Sequence, residues 1–204
     1  MTVRRRKPAQ DRKAEIVDIA LGLAFEVGPD LVTTGMIAER MKLTQPAIYK
    51  HFPSKDDVWS AVADKLAGLI EDNIQRAEDA RTSPTQHLHL LVMGHLQLVQ
   101  SFPALPDIMV ARDANGSLRA GRVKVRAAMA DFGKALVADV QAAVDQATFR
   151  TDLSADDAAA LVFGVIQSLV LQMLVNRNPS SLLDDGERLF TLLLAGFTKT
   201  GESQ

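Results

Sequence analysis

Apolar residues recur along this chain at the three- and four-residue intervals of an α-helix. No run alternates apolar and polar at the two-residue period of a strand between turn signals. From Arg12 to Val27, the positions Ile16, Ala20, Leu23, Ala24 and Val27 form one stripe, and Gly28-Pro29 ends the helix. Thr33 and Thr34 are candidate N-caps for a short second helix reaching Met41, with Ile37, Ala38 and Met41 facing inward. Thr44 is placed to cap a third short helix. Its first turn tolerates Pro46, since amides there have no intrahelical partner, and Phe52-Pro53 stops it. Ser54 and Asp57 have the spacing of a capping box and open a helix to about Ala80.

Further on, Ser83-Pro84 starts a helix that Phe102-Pro103 ends, and a shorter one runs from Ala104 to the break at Asn115-Gly116. Ser117 opens a long helix to about Ala147. A second capping box, Ser154 with Asp157, opens an apolar helix terminated by Asn178-Pro179, and a last helix spans about Asp184 to Thr200. The prediction is therefore an all-α chain of nine helices. No internal repeat appears, and the main composition break is the polar stretch from Gln75 to Gln86.

The second and third helices, joined by a tight turn, have the dimensions of a helix-turn-helix, whose second helix enters the DNA major groove. Ile48 and Phe52, four residues apart, are expected to pack on Ile16, Leu23 and Ile37, leaving Gln45, Pro46, Ala47, Tyr49, Lys50 and His51 outward. Those side chains suit DNA. Glutamine bonds bidentately to adenine, alanine or proline touches a thymine methyl, lysine reaches guanine or phosphate, and tyrosine donates to phosphate.

Charge sharpens this reading. The formal net charge of −2 conceals a basic N-terminus: Arg4, Arg5, Arg6, Lys7, Arg12 and Lys13 stand against Asp11 alone in the first thirteen residues. Beside a helix-turn-helix, an arm at Arg4, Arg5, Arg6 and Lys7 is expected to follow phosphates or enter the minor groove. No apolar segment follows the arm, so it does not read as a secretory signal, and a chain of 204 residues without cysteine suits a reducing cytoplasm. With no cysteine, no G-x-S-x-G, no glycine-rich phosphate loop and no metal triad, an enzyme is not expected, and no cofactor. His87, His89 and His95 do not share one helical face, so no metal is expected there.

The run Thr34-Gly35-Met36-Ile37-Ala38-Glu39-Arg40 followed by Leu43-Thr44-Gln45-Pro46-Ala47-Ile48-Tyr49-Lys50-His51-Phe52-Pro53-Ser54-Lys55 resembles the signature of the TetR family of transcriptional regulators. The resemblance is closest from Arg12 to Leu66. It implies a basic arm at 1–9, a three-helix DNA-binding domain at 10–70 with the helix-turn-helix at 33–52, and a larger ligand-binding and dimerisation domain at 71–204. It also implies that Thr34 caps its helix at a phosphate, that Thr44, Gln45, Ala47, Tyr49, Lys50 and His51 contact DNA, and that Lys55 clamps the backbone. Lys42 stands where the family usually has glycine, so a side chain occupies a turn expected to need positive φ, with a phosphate contact as the compensating gain. Pro46 stands where a small residue is common, which stiffens that turn.

The residues of the larger domain carry two further expectations. Met93, Met109, Met129, Phe132, Phe163 and Met173 suit a core or an adaptable cavity for an apolar molecule, oriented by His95, Gln100, Arg112, Gln167 and Gln172. Ala158 to Val175 carries no charge, which is near the lower length for a membrane span. Burial against the domain core on one face and a second subunit on another needs the same character, and no membrane is expected. Leu161, Val165, Ser168, Leu169 and Gln172, with Leu189, Leu192, Leu193, Gly196 and Phe197, are then expected at a homodimer interface. The resemblance implies that the last two helices pair with their copies about a twofold axis, and such a dimer reads a palindrome.

The function expected is that of a repressor released from a double-stranded operator by an unknown small lipophilic effector, with the fourth helix as lever and Trp59 as reporter. The alternative is a DNA-binding protein of the same fold governed by a protein partner or acting on DNA architecture.

Overall fold

The computed structural model describes residues 9–112 and 116–198. Among the described residues there are nine helices and no strand: α1 (Ala9–Val27), α2 (Thr34–Arg40), α3 (Gln45–Tyr49), α4 (Lys55–Asp79), α5 (Pro84–Ser101), α6 (Ala104–Val110), α7 (Arg119–Asp145), α8 (Ala155–Asn176) and α9 (Leu182–Phe197). The start and stop signals are obeyed within a few residues. Ser54 and Asp57 form the expected capping box, each side chain bonding the other's backbone amide at 3.1 and 2.8 Å. Ser83 and Gln86 form a second one, with Pro84 in the first turn. At Ser154 only one half forms, since its hydroxyl accepts from the Asp157 amide at 3.3 Å. The last helix stops at Phe197, and Thr200 lies outside the described residues.

The chain divides into two compact units, and each draws on separate stretches of sequence. The first holds the residues up to Leu66 together with Ala104–Val125; the second holds Ala67–Pro103 and the residues from Arg126 onward. The expected boundary at residue 70 therefore falls inside α4. Residues 104–125, expected with the larger domain, cluster with the N-terminal helices because the short apolar face of α6 (Ala104, Leu105, Ile108) packs on α1.

In the first unit, Ile16, Ala20, Leu23 and Ala24 of α1 are buried with Ile37, Ile48, Phe52, Trp59, Val62 and Leu66. Val27, the last position of the predicted stripe, is exposed because the helix ends there. Ion pairs Lys65–Asp18 and Lys124–Asp64 tie α4 to α1 and α7 to α4, and Arg40 grips Glu26 with two bonds of 2.9 and 2.6 Å. Gly121 lets α7 approach α4 closely: a Cβ there would stand 2.7 Å from the Ala63 Cβ. Arg122 completes the unit by donating to the carbonyls of Ile108 (2.7 Å) and Ala111 (2.5 Å), which satisfies the C-terminal end of α6.

The second unit packs α5 against α8 and α9, with the later part of α7 and the end of α4. Ile70, Leu88, Leu91, Leu96, Phe132, Leu136, Phe149 and Phe190 are its largest fully buried side chains. Asn73 Nδ2 donates to the Leu91 carbonyl at 2.9 Å, and Asp139 meets His87 at 2.5 Å. Burial pushes the Asp139 carboxyl above the usual carboxylate range, and the bond to His87 partly offsets it.

Candidate functional site

The turn between α2 and α3 is built on a left-handed residue. Lys42 has φ of 54°, its amide bonds the Glu39 carbonyl at 2.9 Å, and the Leu43 amide bonds the Ala38 carbonyl at 2.8 Å. This is the Schellman arrangement, in which glycine is the usual residue. Exchange for glycine is expected to raise stability by a few tenths to about 1 kcal/mol, after the greater entropy of the unfolded glycine chain is counted. If Lys42 also neutralises a phosphate, the slope of log affinity against log salt becomes shallower by about 0.9. Urea melts and DNA titrations at two salt concentrations measure the two effects, and a variant that is less stable refutes the strain.

Thr33, not Thr34, caps α2: its hydroxyl accepts from the Met36 amide at 3.1 Å. The capping role implied for Thr34 is thereby corrected, because Thr34 is the first helical residue and only 5% exposed. Its hydroxyl accepts from Gln45 Nε2 at 2.8 Å and lies 3.2 Å from the Tyr49 hydroxyl. Thr44 occupies the N-cap position of α3 but makes no capping bond through its side chain. Pro46 removes the amide at the second helical position, and the Ala47 amide bonds the Thr44 carbonyl instead at 2.9 Å.

Ile48 and Phe52 point into the core as expected. Outward stand Thr44, Gln45, Pro46, Tyr49 and Lys50, while Ala47, His51 and Lys55 are half-buried. Lys42, Lys50 and Lys55 form no ion pair among the described residues, so their charges are uncommitted. A short helix thus presents an amide, a phenol, an imidazole and lysines on one side and an apolar anchor on the other. Arg4, Arg5, Arg6 and Lys7 lie outside the described residues.

This stretch is what the comparisons recognise. The family model for bacterial regulatory proteins of the tetR family matches residues 16–62, from the first helix through the helix-turn-helix into α4. Over that segment the chain is similar to the tetR family of bacterial regulatory proteins.

Over 194 residues it is 25% identical to the HTH-type transcriptional regulator TtgR of Pseudomonas putida, covering 92% of each chain. The ketosteroid transcriptional regulator KstR2 of Mycobacterium tuberculosis shares the fold, with a TM-score of 0.76 at 17% identity over 92% of this chain and 95% of that one. FadR of Bacillus subtilis, solved in complex with stearoyl-CoA, matches with a TM-score of 0.68 at 20% identity over 90% and 98%. The matched segment is the helix-turn-helix region of that family of regulators, and the relative matched over most of its length, TtgR, is itself a transcriptional regulator.

The residues expected to line a cavity are only partly brought together. Met109 and Arg112 belong to the first unit, and Arg112 is exposed. Gln167 is exposed too, and Gln100 is engaged elsewhere, donating to the carbonyls of Pro179 (3.0 Å) and Ser180 (3.3 Å). Met129 and Phe163 are half-buried. Met93 lines a groove of about 210 Å³ with Asn73, Arg76 and Leu90, whereas Met173 borders a recess of about 70 Å³. At the buried centre of the second unit remain His95 and Phe132, stacked with ring centroids 4.7 Å apart. His95 is 3% exposed, its Nδ1 has no hydrogen-bond partner among the described residues, and burial holds its pKa down at about 4. His87 and His89 instead bond the carboxylates of Asp139 and Glu187, and among the described residues no three metal-ligating side chains gather.

The expected interface divides as well. Leu169 is buried in the chain's own core, while Phe197, also buried and edge-on to Phe149 at 5.5 Å, borders the groove between α8 and α9. Leu161, Val165, Leu189, Leu192, Leu193 and Gly196 line a groove of about 490 Å³, joined by Arg150 and Leu153 from the loop before α8. Sequence periodicity did not reveal those two loop residues, since they belong to no helix. Ser168 and Gln172 are exposed on α8. By length and composition α8 could cross a membrane, and 33% of its most apolar window is buried within the chain. Its open face carries Leu161, 55% exposed, in line with Val165, Ser168 and Gln172.

Proposed function

We propose that the chain is a homodimeric repressor that reads a palindromic operator with α3 and is released by a small lipophilic effector bound in its second unit. The observation that carries the reading is the outward face of α3. Thr44, Gln45, Pro46, Ala47, Tyr49, Lys50 and His51 stand over the buried Ile48 and Phe52, with Lys42 and Lys55 flanking. On this reading Gln45 and Lys50 meet base edges, and Thr33, Lys42, Thr44, Tyr49 and Lys55 meet phosphates. The open faces of α8 and α9 join two copies, so two recognition helices address two half-sites.

For the effector, the support is the orphaned Nδ1 of His95 beside Phe132 among apolar side chains. A neutral imidazole in that setting favours an uncharged apolar molecule with one hydrogen-bonding group. KstR2 and FadR, with the same fold, are named for ketosteroid regulation and solved with stearoyl-CoA, which fits a lipophilic class. The α4 helix belongs to both units. An effector that prefers the DNA-incompetent dimer lowers operator occupancy by its differential affinity, typically about 1 to 3 kcal/mol of coupling.

The test uses a duplex selected by the wild-type protein from random DNA, titrated by fluorescence anisotropy against a scrambled duplex. Lys50→Ala is expected to weaken selected-duplex binding about tenfold or more. Adding 4-octylphenol is expected to release the wild-type complex, and octylbenzene, without the hydroxyl, to release it less. Equal affinity for selected and scrambled DNA contradicts a sequence-specific repressor.

A further inference from the structure

We propose that Thr34 is a positioning residue for DNA recognition: its buried hydroxyl fixes the orientation of Gln45 and Tyr49 on α3 and so helps to decide which bases are read. The inference rests on the reading of α3 as the recognition helix.

Thr34 opens α2, yet its side chain takes no part in capping, which Thr33 performs. The hydroxyl is turned under α3 instead, where Gln45 and Tyr49 stand four residues apart on the same face. A hydroxyl has one hydrogen and two lone pairs. Gln45 Nε2 donates into one lone pair at 2.8 Å, and the Tyr49 hydroxyl, at 3.2 Å, takes the hydrogen or fills the second lone pair. The group is thereby committed to two side chains, and at 5% exposure it has little surface left for a phosphate.

Gln45 gains a defined amide orientation from this contact. With Nε2 held toward Thr34, its Oε1 and the second Nε2 hydrogen stay free, which is the donor and acceptor pair that adenine matches in the major groove. An unanchored glutamine presents that edge in only some of its rotamers and must be ordered when DNA binds, a cost that pre-positioning removes. Tyr49, tied to the same oxygen, is fixed beside it. Base selectivity therefore depends on Thr34 without its touching DNA, through the Gln45 edge that it orients, while Tyr49 is held for its phosphate.

Five proteins test this: wild type, Thr34→Val, Thr34→Ser, Gln45→Ala and the double variant Thr34→Val with Gln45→Ala. Each is titrated on the selected and the scrambled duplex, with thermal melts as a control of folding. Thr34→Val preserves shape and is expected to lower the ratio of selected to scrambled affinity about tenfold, leaving scrambled binding unchanged. Thr34→Ser restores the hydroxyl and is expected to return the ratio to within about twofold. In the Gln45→Ala background, Thr34→Val is expected to add little, since it acts through the glutamine. A Thr34→Val loss equal on both duplexes would mark a phosphate contact and overturn the proposal, as would a full additional loss on top of Gln45→Ala, or no change at all. If Thr34→Val does not fold, a Thr34→Ser ratio as low as that of Gln45→Ala overturns it. Unchanged selectivity in both Gln45→Ala and Lys50→Ala would instead refute α3 as the reading helix.

Discussion

Leu192→Glu is expected to leave a folded monomer that no longer holds its operator. Leu192 is 70% exposed on α9, so its replacement disturbs little inside the chain. On the proposed dimer it covers the same groove as Leu161, Val165, Leu189, Leu193 and Gly196. Burying one leucine contributes about 1.5 to 3 kcal/mol, and an unpaired carboxylate in its place costs more. A twofold axis makes each substitution count twice. A loss above about 4 kcal/mol weakens the dimer more than about a thousandfold, which separates the subunits at micromolar concentration. Light scattering on a sizing column gives the mass, circular dichroism the helix content, and anisotropy the operator affinity. A variant that stays dimeric at micromolar concentration places the interface elsewhere on the molecule.

The second large effect is acid sensitivity through His95. In the folded chain its pKa is about 4 and in the unfolded chain about 6.5, with burial as the cause. Between those values the unfolded chain binds a proton that the folded chain does not, so stability rises with pH across the window. The contribution is complete above pH 6.5 and is lost as pH falls towards 4, a loss of about 3 kcal/mol. Asp139 acts in the opposite sense, because a carboxyl held above its ordinary value gains relative stability in acid. His95→Leu is expected to flatten the acid loss in urea melts at pH 7, 5.5 and 4.5. At pH 7 it is expected to be as stable as wild type or more so, since it removes a buried nitrogen that has no partner. Equal pH dependence in the two proteins would mean that the imidazole is hydrated or partnered in solution.

The same histidine illustrates where sequence reading ends. His87, His89 and His95 lie within nine positions on one helix, yet each meets a different neighbour: a carboxylate from α7, a carboxylate from α9 and a phenyl ring from α7. Only helices distant in sequence decide that division.

What local sequence specifies well here is anything settled within a few residues of itself. Caps at Ser54, Ser83 and Ser154, the left-handed turn at Lys42 and the inward pair Ile48 and Phe52 all follow from backbone amides seeking partners and from the helical repeat. These short-range rules also revealed the helix-turn-helix and its outward face. Other features depended on packing between elements far apart in the chain. The α6 helix joins the N-terminal unit because its apolar face finds α1, and Gln100 is consumed by carbonyls of the α8–α9 loop. Leu169 turns inward while Leu161 and Leu192 stay open, although all three fit the same apolar pattern. Thr34 sits beneath α3 for the same reason: a side chain's partner is set by where a second helix crosses it, and periodicity along one helix carries no record of that crossing.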